Sequence, residues 1–214
     1  MNYVLSMLPA LWDGLQVTLT LFAITLSLAI PLGLLLALAR VSRLGPLSAL
    51  VNGYIWLMRG TPLLLQIFFI YFALPGMGIT LPDFPTAVVA FVLNYAAYFA
   101  EIFRSGIQSV DRGQYEGAKV LGLNYTQTMR RIVLPQMVRH ILPPMSNETI
   151  TLVKDTSLIY VLALNDLLRA ARLIVQRDFN TTAFVVAAIF YLLMTLVLTW
   201  LFQRLERHYA RYDQ

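Results

Sequence analysis

The stretch Ser146-Asn147-Glu148-Thr149-Ile150-Thr151-Leu152-Val153-Lys154-Asp155-Thr156-Ser157-Leu158-Ile159-Tyr160-Val161-Leu162-Ala163-Leu164 decides the fold. It is about as long as a bilayer crossing, which takes roughly 20 residues. Three charges, Glu148, Lys154 and Asp155, give it a poor score on hydropathy alone. If it crosses, the chain has five spans; if it does not, the chain has four.

The other spans are plainer. Residues 14–39, 60–82 and 179–203 carry no charge, and a helix is what a chain forms where no water can satisfy its backbone. The second run shortens near Pro75-Gly76, where helix breakers begin a loop. Residues 84–100 are a shorter uncharged run, extendable through Glu101 to Arg104, whose long side chain can snorkel to the surface. With five spans, twelve of the 16 basic residues fall on one side, among them Arg40, Arg43, Arg59, Arg104, Arg204, Arg207 and Arg211. Arg169, Arg172 and Arg177 fall on the other, and Lys154 lies inside the fourth span. Without that span the bias drops to nine against six. Basic residues accumulate in short cytoplasmic loops, so five crossings are expected, with the N-terminus outside and the C-terminus inside.

Composition agrees. The 214 residues are 58% hydrophobic and 13% charged, where a soluble domain has about a quarter charged. A net charge of +5 in so apolar a chain points to a lipid surface, not to nucleic acid. There is no cysteine, and His140 and His208 stand far apart without acidic clusters, so no metal site is expected. The first apolar run lacks a basic leader and is long enough to stay as an anchor. Residues 1–13 read as an interfacial segment with Tyr3 and Trp12 at headgroup level, 14–204 as the transmembrane domain, and 205–214 as a cytoplasmic tail.

Between the third and fourth spans lies an inner loop, about 105–140, too long for a turn. Asp111 to Gly122 reads as a short helix with Gly122 as a left-handed C-cap. Asn124 then caps a second helix with Gln127 three residues on, and Met129, Ile132 and Val133 form its apolar stripe until Pro135 and Pro143-Pro144 interrupt it. The hairpin is either a cap on the bundle or a docking element for a cytoplasmic partner.

Within the fourth span, Glu148, Thr151 and Asp155 recur at helical spacing, with Asn147, Thr151 and Lys154 on the adjoining face. Charges in a span usually face a cavity or one another. These groups can hold a zwitterion with a polar side chain. Glu148 is read as a ligand, Asp155 is open between substrate contact and helix-interface partner, and Lys154 is read as structural. In the second span Thr61-Pro62 breaks the helix, and Gln66, one turn on, either faces the same cavity or makes an interhelical hydrogen bond.

Four motifs carry a resemblance. Glu116-Gly117-Ala118, followed by Gly122, Ile132 and Leu134-Pro135, resembles the Glu-Ala-Ala loop of ATP-binding-cassette importer permeases. Arg59-Gly60-Thr61-Pro62-Leu63-Leu64-Leu65-Gln66, the run from Ala97-Tyr98-Phe99-Ala100-Glu101 to Ile107, and Lys154-Asp155-Thr156-Ser157-Leu158 resemble the polar amino-acid branch, which serves histidine, glutamine, glutamate, arginine and opines. Together they cover residues 18–204. Gly117 stands where the family usually has alanine, and it keeps the small profile a groove contact needs.

The resemblance implies an all-α integral membrane protein with the type I importer fold in a prokaryotic cytoplasmic (inner) membrane. It also implies a second permease subunit, identical or related, a dimer of ATPase subunits and an extracytoplasmic amino-acid-binding protein. Glu116 is then expected at the ATPase groove, Ala118 in close packing and Gly122 at the turn. No cofactor is expected in this chain: neither lysine, Lys119 or Lys154, lies in a Gly-x-x-x-x-Gly-Lys-Ser/Thr loop, so ATP and Mg belong to the partner. ATP binding would close the partner dimer, move the inner loops and open the path outward, and hydrolysis would reset it. The rival class is an ion- or proton-coupled channel or secondary transporter using Glu148, Lys154 and Asp155. An intramembrane enzyme lacks a Ser/His/Asp set.

Overall fold

The computed structural model describes residues 2–210. Met1 of the expected interfacial segment, and Arg211 with the rest of the tail, lie outside the described residues. The described chain is all helical.

Helix α1, Asn2–Val41, runs 40 residues without a break, through Pro9 and Pro31. At 1.5 Å per residue it is about 60 Å long, roughly twice a bilayer's hydrocarbon core. The segment expected at the interface is therefore the first third of the same helix. Helix α2, Gly45–Gly60, and α3, Leu63–Gly76, meet at 106°, and α3 contains a π-helical turn at Phe69–Ala73. Helix α4, Asp83–Ser109, leads to the inner hairpin of α5, Arg112–Val120, and α6, Tyr125–Thr128. A second π turn, Met129–Val133, joins α6 to α7, Leu134–Asp155, which tightens into a 3-10 segment at Thr156–Leu162. Helices α8, Leu167–Asp178, and α9, Thr182–Ala210, complete the chain.

The expected interruption at Pro135 and Pro143-Pro144 does not occur, because α7 continues through all three. A proline removes one backbone donor and crowds the carbonyl four residues back. Here those carbonyls belong to Arg131, Arg139 and His140, at the inner end of the rod, where Arg131 and His140 are exposed, and the π turn takes up the change in pitch just before Pro135.

Among the described residues, Tyr3–Val41, Asp83–Ser109 and Thr182–Tyr209 are long and apolar enough to cross a membrane, or four spans if α2 and α3 count as one. Helix α7, expected above as the fourth of five crossings, is not among them, because Glu148, Lys154 and Asp155 interrupt its apolar run.

The main core lies between α1 and α4. Ala29 and Ala37 of α1 and Ala96, Phe99 and Phe103 of α4 are buried together. Gly33 sets the distance: a Cβ there would stand 2.7 Å from the Phe99 Cβ and 3.0 Å from the Ala96 carbonyl. In lipid, such small-residue seams replace the missing hydrophobic drive with close van der Waals contact.

A second core forms at the N-terminal end of α1, where Met7, Leu11 and Leu15 of α1 meet Leu167, Ala170 and Ile174 of α8 and Ala183 and Ala187 of α9. Asp166 caps α8, accepting from the Leu168 and Arg169 amides at 3.0 and 3.2 Å, and the Leu167 amide donates to Thr18 Oγ1 of α1 at 3.2 Å. The Tyr3 hydroxyl donates to Asp178 at 2.9 Å, and Arg177 grips the same carboxylate. The bond from Arg177 holds the Asp178 carboxyl below the usual carboxylate range.

Candidate functional site: a polar face beside α4 and a capped hairpin

The break between α2 and α3 is stitched by side chains. Thr61 Oγ1 donates to the Leu57 carbonyl at 2.9 Å. Gln66 Nε2 donates to the Met58 carbonyl at 2.9 Å and to Thr61 Oγ1 at 2.8 Å. Asn94 of α4 donates to the same Met58 carbonyl and to Gln66 Oε1, both at 3.1 Å. Carbonyls freed at a break inside a bundle need such partners. Of the two readings of Gln66, these bonds match the interhelical hydrogen bond, and Thr61 sits in the same knot.

Helix α7 places Glu148 and Asp155 two turns apart on one half-buried face. The Tyr95 hydroxyl of α4 donates to Asp155 Oδ2 at 2.7 Å, tying the two helices together. Arg59, in the last turn of α2, holds its guanidinium 5.3 Å from the centre of the Tyr98 ring. Thr151 spends its hydroxyl on the Asn147 carbonyl at 2.9 Å, while the Asn147 and Lys154 side chains are exposed.

The six expected substrate residues thus form two groups, Thr61 with Gln66 at the break and Asn147, Glu148, Thr151 and Asp155 on α7. Helix α4 links them through Asn94, Tyr95 and Tyr98. None of Arg59, Asn94, Tyr95 and Tyr98 was assigned to the site from sequence, although Arg59 and Tyr98 lie in two of the four motifs. The recurrence of Asn94, Tyr95, Tyr98 and Glu101 at helical spacing within an apolar run was the available signal.

Toward the hairpin Glu101 pairs with Arg40 of α1 and with Arg104. Arg104, expected to snorkel to the surface, is bonded to Glu101 and Gln108. Ser48 of α2 donates to the Arg40 carbonyl at 2.7 Å. These bonds pin α1, α2 and α4 where the hairpin begins.

The hairpin follows its caps. Asp111 accepts from the Gly113 amide at 2.6 Å. At the far end of α5 the Leu123 amide donates to the Ala118 carbonyl and the Gly122 amide to the Lys119 carbonyl, both at 3.0 Å, with Gly122 at φ +71°. This is the Schellman closure that a left-handed glycine permits. Asn124 and Gln127 form the reciprocal capping box at 2.9 and 3.0 Å. Gln136 of α7 donates to Gln114 at 3.2 Å and holds α5 against the rod.

Ala118 is 2% exposed and packs within its own chain. Glu116 and Gly117 face outward, and Gly117 has open space where a Cβ would sit, so the family's alanine would fit. Val120, Leu121 and Tyr125 are 87%, 76% and 77% exposed, and Leu134 stands partly exposed beside the half-buried Pro135. An apolar edge on so well-capped a hairpin marks an interaction surface.

Comparison with known proteins decides the family. Residues 29–211 match the family described as the binding-protein-dependent transport system inner membrane component. The chain belongs to this family. It is 37% identical to the L-cystine transport system permease protein TcyB of Bacillus subtilis over 97% of this chain and 89% of that one. It is 36% identical to the arginine transport system permease protein ArtQ of the same species, covering 94% and 92%, and 36% identical to the glutamine permease GlnP of Escherichia coli, covering 94% and 93%. A crystal structure described as an amino acid ABC transporter with histidines matches with a TM-score of 0.88 at 35% identity, covering 97% of both chains. An inward-facing MetNI methionine transporter shares the fold at 17% identity and TM-score 0.69. The permease is thus an inner-membrane component with the transmembrane-domain fold of type I importers, and its family works with a separate ATPase and a binding protein.

Proposed function

We propose that the chain is the subunit through which a polar amino acid crosses the inner membrane, driven by ATP hydrolysis on a separate subunit. The coupling hairpin carries this reading. A helix closed at both ends by its own hydrogen bonds holds Val120, Leu121 and Tyr125 out to solvent, and Glu116 and Gly117 beside them form the surface an ATPase groove would cover. The amino-acid class follows from the relatives, named for cystine, arginine and glutamine, and Glu148 with Asp155 offers acceptors for an ammonium group.

In this reading residues 14–204 form the permease domain and cross the bilayer five times, from an outer N-terminal segment to an inner tail at 205–214. The chain pairs with a second permease subunit, the same or related, so that the α7 face borders the path and not lipid. A dimer of ATPases holds ATP and Mg on the inside, the permease itself being no enzyme, and an amino-acid-binding protein delivers substrate outside. ATP binding draws the hairpins together and opens the path outward, and hydrolysis returns it.

Extraction of the tagged chain in mild detergent tests the proposal. The expected result is a co-purifying phosphate-loop ATPase, lost from Glu116→Lys although that variant inserts and melts like the wild type. A chain that purifies alone and takes up solute without ATP would instead support an ion-coupled channel or secondary transporter, with Glu148, Lys154 and Asp155 as its path.

A further inference from the structure

The arginines that hold Glu101 also border an open notch. Where α1 ends, α2 begins and α4 passes, a cavity of about 510 Å³ is lined by Arg40, Ser42, Ser48, Asn52, Arg104 and Gln108, and among the described residues no carboxylate lines it. Donors that the fold leaves over collect there. Arg40 spends Nη1 on Glu101, while its Nε and Nη2 bond to none of the described residues. The Ser42 hydroxyl is buried without a partner among them, and the exposed Asn52 amide has none either. Helix α2 starts after Leu44 with no side-chain cap, and the Gly45 and Leu47 amides of its first turn find no acceptor among the described residues. Arg43, in the same loop, is exposed and makes no ion pair with any of them.

Arg40, Arg43 and Arg104 thus stand against the single carboxylate of Glu101, and the notch is left positive. A guanidinium fork and an uncapped helix N-terminus both suit the oxygens of a phosphate. The rim decides which phosphate. Leu44, Leu47 and Leu50 are 64%, 39% and 73% exposed, on the same stretch of chain as Ser48 and Asn52. A soluble anion gains nothing from leucines, whereas a phospholipid sets its phosphate among the donors and lays its acyl chains along the apolar rim.

We infer that this notch binds the phosphate of an anionic phospholipid. The headgroup takes the donors of Arg40, Ser42 and Asn52 that the chain leaves open, and its charge answers Arg43. The bound lipid braces the knot of Arg40, Glu101 and Arg104 that ties α1 to α4 just before the hairpin. A zwitterionic lipid carries the same phosphate but brings its own cation, which meets Arg43 as a like charge.

The test uses the full chain as extracted, with every subunit that travels with it, so its outcome is independent of what is transported. Phosphatidylglycerol and phosphatidylcholine are offered in equal amounts in mixed micelles, and bound lipid is counted by intact mass. Wild type should retain phosphatidylglycerol over phosphatidylcholine by about fivefold, the worth of one basic residue beside an anionic lipid, and only phosphatidylglycerol should raise its melting temperature. Asn52→Asp sets a carboxylate in the notch without breaking a bond and should abolish both effects. Arg43→Gln should weaken both, and it carries the test if Asn52→Asp does not fold. Asn180→Asp, the same change of charge beyond α8, should leave both intact. Equal retention of the two lipids by wild type would overturn the inference, as would an unchanged preference in either notch variant that folds, or a preference lost equally in Asn180→Asp. Inorganic phosphate that displaces phosphatidylglycerol at equal concentration would make the notch a site for free anions and overturn the lipid assignment.

Discussion

Helix α4 presents two unlike faces, one residue apart along the chain. Ala96, Phe99, Ala100 and Phe103 are buried, and Ala96 and Phe99 press against Gly33 of α1 so closely that a methyl group does not fit. Tyr95, Tyr98 and Glu101 instead reach Asp155, Arg59 and Arg40 through hydroxyl, ring face and carboxylate. A 100° step around one helix separates packing from chemistry. The first face is complete within one chain, whereas the second leaves Glu148 and Arg59 unpaired. In a membrane, an unfinished polar face implies something to finish it: a substrate, a second subunit or the water of a path.

The sharpest way to break this contrast is to strain the packed face. Gly33→Leu should cost about 3 kcal/mol or more by overpacking against Phe99, seen as loss of monodisperse protein in detergent. Gly53→Ala, where nothing lies within 4 Å of the new methyl, should gain up to about 1 kcal/mol from helix propensity. Equal effects at the two sites would refute the claim that close approach governs the seam.

On the polar face the expected pattern is inverted. Glu148→Gln should lower ATP-driven uptake in vesicles by about tenfold without lowering the melting temperature, since no bond within the chain is lost. A melting temperature that drops as far as in Gly33→Leu would make this face one more packing surface.

A smaller effect belongs to the hairpin. Asn124→Ala removes one half of the capping box and should cost about 1 kcal/mol locally, read as faster amide exchange over residues 124–128 with no change in the α1–α4 seam. Unaltered exchange there would mean that α6 is held by the rod alone.

The smallest effect is at the outer end. Asp178 is held below its ordinary value by Arg177 and Tyr3, so its folded form binds a proton less readily than its unfolded form. Its contribution is present above the usual carboxylate range near about 4 and is lost as pH falls through the depressed folded value. In Asp178→Asn that acid-side fall in melting temperature should be slightly shallower; an identical pH profile would show that the exposed clasp contributes nothing.

Much of the frame was legible because its causes are local. Uncharged runs long enough to span, the Asp111, Gly122 and Asn124–Gln127 caps, and the charged face of α7 depend on neighbours within a turn or two. The prolines misled for a related reason: a rule for one residue does not contain the π turn beside Pro135 or the exposed Arg131 behind it. Gln66 was legible as a polar residue at a break, but its direction was not, because Asn94, its partner, lies 28 positions away.

By itself, then, the sequence determined that this chain lives in a membrane as helices, where the caps of its α5–α6 hairpin fall, and which residue types that hairpin and α7 carry. Those properties follow from solvent transfer, backbone caps and helical period, each a matter of short stretches. Only the tertiary structure decided which charges are satisfied and which are left open. Asp155 meets Tyr95 across 60 residues and Glu101 meets Arg40 across 61, while Glu148, two turns from Asp155 on the same helix, accepts no such bond. That distinction rests on how the helices pack, through a glycine seam between α1 and α4 and a stitched break between α2 and α3 whose partners lie far apart in the chain.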